Sequence, residues 1–194
     1  MKTTRRNFIK GVAGASAAAA VGGYVSACSE AAAEKDFPFS KNQRECLVAV
    51  MEQMIPADED FGGATQAGCI NFLENWVERY HPEQLEAFRA AADGADAACM
   101  AAHSRRFAQM DSNAQIAFMK KWESGAIKNE FFGKFRAADS FNKILGAAMM
   151  GFYGSPRHGG NRDFMSYRMM GIEAPLLIGQ NRYNVPEDLK GVKK

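Results

Sequence analysis

The chain is predicted to be all-α. Three observations carry this: apolar residues recur at spacings of three and four, helix-start signatures stand at Ser40 and Ser112, and alternating strand-like runs are missing. The expected architecture is an irregular bundle of about five helices, followed by a long, mostly irregular C-terminal segment that packs on a partner. No internal repeat occurs. The chain divides into residues 1–28, 29–39, 40–150 and 151–194.

Ser40 with Gln43 three residues later is a capping-box start. Leu47, Val50, Met51, Met54 and Ile55 follow on one face, and Pro56 stops the run. Asp58 to Gly63 reads as a loop. From Ala64, a second helix sets Ile70, Leu73, Val77 and Tyr80 on one face, with Phe72 and Trp76 beside them. Pro82 suits a first helical position. A third helix carries Leu85, Phe88, Cys99 and Phe107 and is expected to be interrupted or weakened near Gly94. Ser112 with Gln115 predicts a fourth helix with Ile116, Phe118, Met119 and Trp122, ended by Gly125. The last long helix is expected from about Lys128 to Met150, with Phe131, Phe135, Ala138, Phe141 or Asn142, and Leu145 inward.

Residues 151–194 change character: seven glycines, three prolines and no convincing helical period. Tyr153, Tyr167, Tyr183, four arginines, Met165, Met169 and Met170 lie here. A structureless stretch this long is unusual inside a compact domain, and this one is too aromatic for a floppy linker. Tyr, Met and Arg are the mix enriched at interface cores. The segment is therefore expected to be ordered by lying on something, either a partner or its own bundle. Phe152, Tyr153, Arg157, Tyr167, Arg168 and Met169 are the candidate partner-binding residues.

The N-terminus reads as an export address. Arg5 and Arg6 are followed by Phe8, Ile9 and Lys10, then by thirteen weakly apolar residues, Gly11 to Gly23, and by VSAC ending at Cys28. A membrane-spanning helix needs about 20 predominantly apolar residues, so this run is too short for a stable anchor. Paired arginines before a short, mild core suit a twin-arginine signal. That route carries proteins already folded, often with a cofactor or partner. Two readings of Cys28 stay open: lipidation after cleavage, giving a membrane anchor, or simple proximity to an ordinary cleavage site. The expected location is the periplasm. Residues 29–39 form a tether.

Of 24 basic residues, four precede Cys28, and none of the 22 acids does, so the remainder carries 20 against 22, a net −2. Nothing there suggests a nucleic-acid binder. Cys46, Cys69 and Cys99 permit one disulfide plus a leftover free thiol, which is either buried and inert or paired with another chain. Without CxxC or CxxCH, covalent haem and iron–sulfur sites are unsupported. His103 shares a helix face with Cys99, but two ligands make no metal site. Asp58, Glu59 and Asp60 read as capping or solvated loop residues. The run Ser155–Asn161 lacks a P-loop lysine and suits a tight, close-approach turn. No catalytic constellation emerges, and none is assigned.

Three places carry a resemblance to a known family: the signal TRRNFIK, the run EQMIPADEDFGGATQAGCINFLE (Glu52 to Glu74), and GFYGSPRHGGNRDFMSYRMMGIEAP (Gly151 to Pro175). Together they resemble the small subunit, subunit 3 or gamma, of membrane-associated gluconate 2-dehydrogenases. Similar subunits serve flavin-dependent glucose, fructose, sorbitol and glycoside 3-dehydrogenases. The resemblance implies a non-catalytic chain that binds no cofactor. FAD would sit in a separate large flavoprotein of the glucose–methanol–choline type, and haem c in a cytochrome c subunit. The small subunit would support folding of the large one and supply its passage through the twin-arginine translocase. Phe152 stands where the family commonly has Tyr, and the VSAC lipobox is not universal in it. A second expectation is a stand-alone periplasmic lipoprotein binding a ligand or metal through Cys99, His103 and the acidic loop.

Overall fold

The chain enters the bundle through a pinned strap. Arg89 donates from Nε and Nη2 to the Pro38 carbonyl at 2.9 and 2.6 Å, which seats Phe39 in the core. The computed structural model describes residues 37–172. The expected signal residues Arg5, Arg6, Phe8, Ile9 and Lys10, Cys28, most of the tether, and residues 173–194 lie outside the described residues.

Helix α1 is Lys41–Met54. Its predicted capping box is present: the Gln43 amide donates to Ser40 Oγ, and the Ser40 amide donates to Gln43 Oε1. The helix gives up at Ile55, before Pro56. The expected second helix is two, α2 (Ala64–Ala67) and α3 (Cys69–Arg79), broken at Gly68, whose φ of 77° is left-handed. Glu52 on α1 holds α2 by accepting from the Thr65 amide and hydroxyl at 2.8 and 2.6 Å. Arg44 Nε donates to the nearly buried Glu74 at 2.7 Å, tying α1 to α3 with that carboxylate satisfied.

Pro82 takes the first position of a short 3-10 turn, Pro82–Gln84, leading into α4, Leu85–His103. This helix runs unbroken through Gly94, against the expected interruption. The glycine serves packing instead. A Cβ built there would sit 2.5 Å from Phe132 Cδ1 and 2.8 Å from the Phe131 carbonyl oxygen. Phe107 is not on α4. Ser104 turns left-handed (φ 55°), and Phe107 lies in a separate 3-10 turn, Phe107–Gln109, where it is fully buried.

Helix α5 is Ser112–Glu123, and its N-cap is Asp111 rather than Ser112. Asp111 Oδ1 accepts from the Ala114 amide at 3.0 Å. Gln115 closes no box; its buried side chain donates to the Phe107 carbonyl at 2.9 Å. The expected helix from Lys128 to Met150 also shifts. Residues Asn129–Phe132 form a 3-10 turn, Gly133 reverses the chain at φ 60°, and α6 spans Ala137–Tyr153. Helix α6 is the central post, packing on α1, α2, α3, α4 and α5. Ile144, Ala147 and Ala148 are fully buried on it, while Asn142 faces out. Among the described residues there is no strand. No described helix is long and apolar enough to cross a membrane.

Asp96 on α4 accepts the Phe107 amide at 2.9 Å and so caps the turn that plugs the core. Burial raises its carboxyl above the usual carboxylate range, despite that hydrogen bond and the nearby Arg106. A raised folded value means that ionisation is harder in the fold than in the unfolded chain. Its contribution to stability is complete below the unfolded value and is lost as pH rises through the folded one. Asp96→Asn keeps the acceptor without the charge. We expect this variant to be at least as stable as the parent at pH 7 in urea titrations, with the advantage shrinking towards pH 3. A variant less stable at pH 7 than at pH 3, relative to the parent, would contradict this.

Candidate partner-binding surface

The third resemblance segment, which begins at Gly151, does not trail away from the bundle; it hooks back onto it. Helix α6 runs past residue 150 to Tyr153 and crosses α3 at Gly151. A Cβ at Gly151 would lie 3.0 Å from Cys69 Cα. Beyond Gly154 the chain turns through Pro156–His158, a 3-10 turn, and Gly159 reverses it at φ 98°. Gly159 rests on α3, and its carbonyl oxygen lies 3.0 Å from a Cβ built at Gly68. Asn75 Nδ2 donates to the His158 carbonyl at 3.3 Å. The glycines of the two quoted runs therefore meet each other. The sequence reads Ser155–Asn161 as a local turn and Gly68 as part of a helix, whereas the structure uses their glycines as one contact.

Asn161 locks the hook. It is fully buried and left-handed at φ 41°. Its amide donates to the Gly151 carbonyl at 2.7 Å, its Nδ2 donates to the Gly154 carbonyl at 2.8 Å, and its Oδ1 accepts the Ser166 amide at 2.9 Å. Asp163 and Phe164 follow at φ 55° each. Non-glycine residues rarely take this conformation, and it persists where surrounding contacts over-determine it. Helix α7, Met165–Met169, then packs on α6, with Met165 and Met169 against the core.

This placement sorts the predicted partner residues. Phe152 is 2% exposed and belongs to the chain's own core, so its ring is not presented to a partner. Met169 is half-buried against that core, and Tyr167 is half-buried beside Phe164, ring centroids 6.0 Å apart. Tyr153 (37% exposed), Arg157 and Arg168 face outward.

Beside the hook lies a groove of about 420 Å³. Its floor is Phe72 and Trp76, and its walls include Tyr80, His81, Met150 and His158. The Trp76 and His81 rings lie 4.4 Å apart, and the Tyr80 ring meets His158 edge-on at 6.1 Å. Tyr80, expected to point inward, is 57% exposed; it lies one residue past the end of α3, where the chain leaves the helical register. Met149 and Met150 are 45% and 44% exposed. The signal that points to this face is the run Gly-Ala-Ala-Met-Met-Gly-Phe-Tyr, residues 146–153. A helix end apolar on every side needs cover on its outer side too.

Cys46, Cys69 and Cys99 are all buried free thiols. Burial pushes Cys69 and Cys99 up to about 12, Cys99 with help from Asp96, and takes Cys46 well above its ordinary value. None is a ready thiolate. Cys69 Sγ donates to the Ala148 carbonyl at 3.6 Å. Cys99 points into the core while His103 is exposed, so the pair shares no site. Asp58 spends its carboxylate in its own loop, accepting the Asp60 and Phe61 amides at 2.9 and 2.7 Å. Among the described residues, no group of three or more His, Cys, Asp and Glu converges as a metal site.

Comparison with curated proteins and with solved structures returns no match. The family model described as gluconate 2-dehydrogenase subunit 3 matches residues 41–173. That span begins at the first residue of α1 and takes in the run Glu52 to Glu74, all but the last two residues of the run Gly151 to Pro175, and the residues that line the groove. The chain belongs to the gluconate 2-dehydrogenase subunit 3 family.

Proposed function

We propose that this chain is the non-catalytic small subunit of a periplasmic dehydrogenase complex that oxidises a sugar or glycoside. The catalytic partner is an FAD-dependent flavoprotein of the glucose–methanol–choline type, and a cytochrome c subunit relays electrons. This chain stabilises the flavoprotein and takes it through the twin-arginine translocase, guided by Arg5 and Arg6. The observation that carries the reading is the exposed aromatic and methionine face around Tyr80, Met150 and Tyr153, rigidly backed by the Asn161 lock. Apolar groups of this size gathered on one face mark a contact surface, and aromatic anchors with Met and Arg are what interface centres use.

The test is deletion and complementation in the source cell. Without this chain, sugar-dependent dye reduction is expected to vanish from the periplasm. Restoring it with Arg5→Lys and Arg6→Lys together should give an assembled, active complex held in the cytoplasm. Restoring it with Tyr80→Asp and Met150→Asp should abolish co-purification of the flavoprotein, read from its flavin absorbance, while the purified chain keeps its melting temperature. Unchanged periplasmic activity after deletion would refute the proposal.

A further inference from the structure

A second cavity, of about 390 Å³, lies on another part of the bundle. Helices α4 and α5 scarcely touch each other. Across the gap they present small side chains at helical spacing, Ala98, Ala101 and Ala102 on α4 and Ala114 and Ala117 on α5. Helices that meet through alanines normally close to short range, whereas here the alanines leave a slot. Phe118, Ile127 and Phe131 line it further with apolar surface. Its charged lining is basic only: Lys121 and Lys128, with His103. Lys128 sits 3.3 Å from the exposed Glu130, whereas Lys121 forms no ion pair among the described residues.

The dimensions select the occupant. Ala114 to Lys121 spans roughly 10 Å along α5 at about 1.5 Å per residue. Spread over that length, 390 Å³ leaves a cross-section of roughly 40 Å². A helix about 10 Å across needs roughly 80 Å², so a partner helix does not fit within the slot. An extended alkyl chain does. The volume is in the range of small-ligand sites, which are mostly apolar with a few polar groups that orient the ligand. Lysines at the side supply a point charge for an anionic head.

We propose that the slot between α4 and α5 binds a single-chain amphiphile with an anionic head, a long-chain carboxylate. The alkyl chain lies between the facing alanines, and the head pairs with Lys121 and Lys128.

The test is calorimetric titration of the full-length purified chain with laurate below its micelle concentration, with butyrate and the neutral dodecyl maltoside as controls. Laurate is expected to bind saturably at one per chain, and butyrate not to bind. Ala117→Trp fills the slot from an exposed position and should abolish binding; Ala101→Phe does the same from the opposite wall, and circular dichroism confirms that each variant is folded. Lys121→Glu with Lys128→Glu should weaken laurate at least tenfold. Absence of saturable binding, or equal laurate binding by both folded slot-filling variants, overturns the site. Equal affinity for dodecyl maltoside, or laurate affinity unchanged in the Lys-to-Glu pair, overturns the anionic head.

Discussion

Gly160→Ala is expected to release the C-terminal hook and lower stability by about 3 kcal/mol or more. A Cβ at residue 160 would lie 2.8 Å from the Gly151 carbonyl carbon and closer still to its oxygen. These are backbone atoms of the central helix, so no rotamer change relieves the collision. Either the hook lifts or α6 shifts. Lifting breaks the Asn161 bonds to the Gly151 and Gly154 carbonyls at the end of α6, and an acceptor left buried and unpaired there costs about 1–3 kcal/mol. Urea unfolding measures the loss, and limited proteolysis between residues 155 and 165 locates it. Gly146→Ala is the control. That glycine is helical, exposed and has nothing within 4 Å of a built Cβ, so alanine there should stabilise by up to about 1 kcal/mol. Equal melting temperatures for Gly160→Ala and the parent would show that the hook is not held as described.

Trp122→Ala should be the most damaging truncation in the bundle. The side chain is fully buried, stacks on Phe132 with centroids 5.5 Å apart, and meets Phe141 and Phe118 at 5.7 and 5.9 Å. Its Nε1 donates to the Ala137 carbonyl at 2.8 Å, fixing the start of α6 against α5. Loss of the ring costs about 3–5 kcal/mol, and the orphaned Ala137 carbonyl adds about 1 kcal/mol or more. Against a total stability of about 5–15 kcal/mol, the variant should be largely unfolded at 37 °C or close to it. Trp122→Phe separates the two contributions: it keeps much of the ring packing, loses the donor, and should cost about 1–3 kcal/mol. Far-ultraviolet circular dichroism against temperature reads both. A melting point within a few degrees of the parent for Trp122→Ala would mean that the core closes elsewhere.

What could be read in advance follows the range of the interaction. Ser40, Pro56 and Pro82 act on neighbours within four residues, and the local chain states their effect. Asp111 and Ser112 are both good caps; the structure uses Asp111, while Ser112 pairs with Gln53 of α1 and Gln115 with the Phe107 carbonyl, contacts the local chain does not state. Gly94 looks like a break, because nothing nearby reveals that Phe132 will press on it from nearly forty residues away. Tyr80 fits the inward period of α3 but falls beyond its end, so the face it helps to build was assigned to the core. Phe152 misled in the opposite sense. Its composition-rich surroundings suggest an interface, yet α6 continues one turn further and carries it inside. The tight turn at Gly159 and Gly160 was legible, but its seat against Gly68 and Gly151 was not.

That seat sets an order of events during biosynthesis. The groove needs α3, made early, and the Asn161 lock, made near the end, to come together around a finished α6. A ribosome-held chain lacking its last third has neither α6 complete nor the Asn161 lock, so the groove is not yet formed. Under the proposed function, a catalytic subunit that docks on this groove would meet it only after residue 161 has been made and the hook has closed.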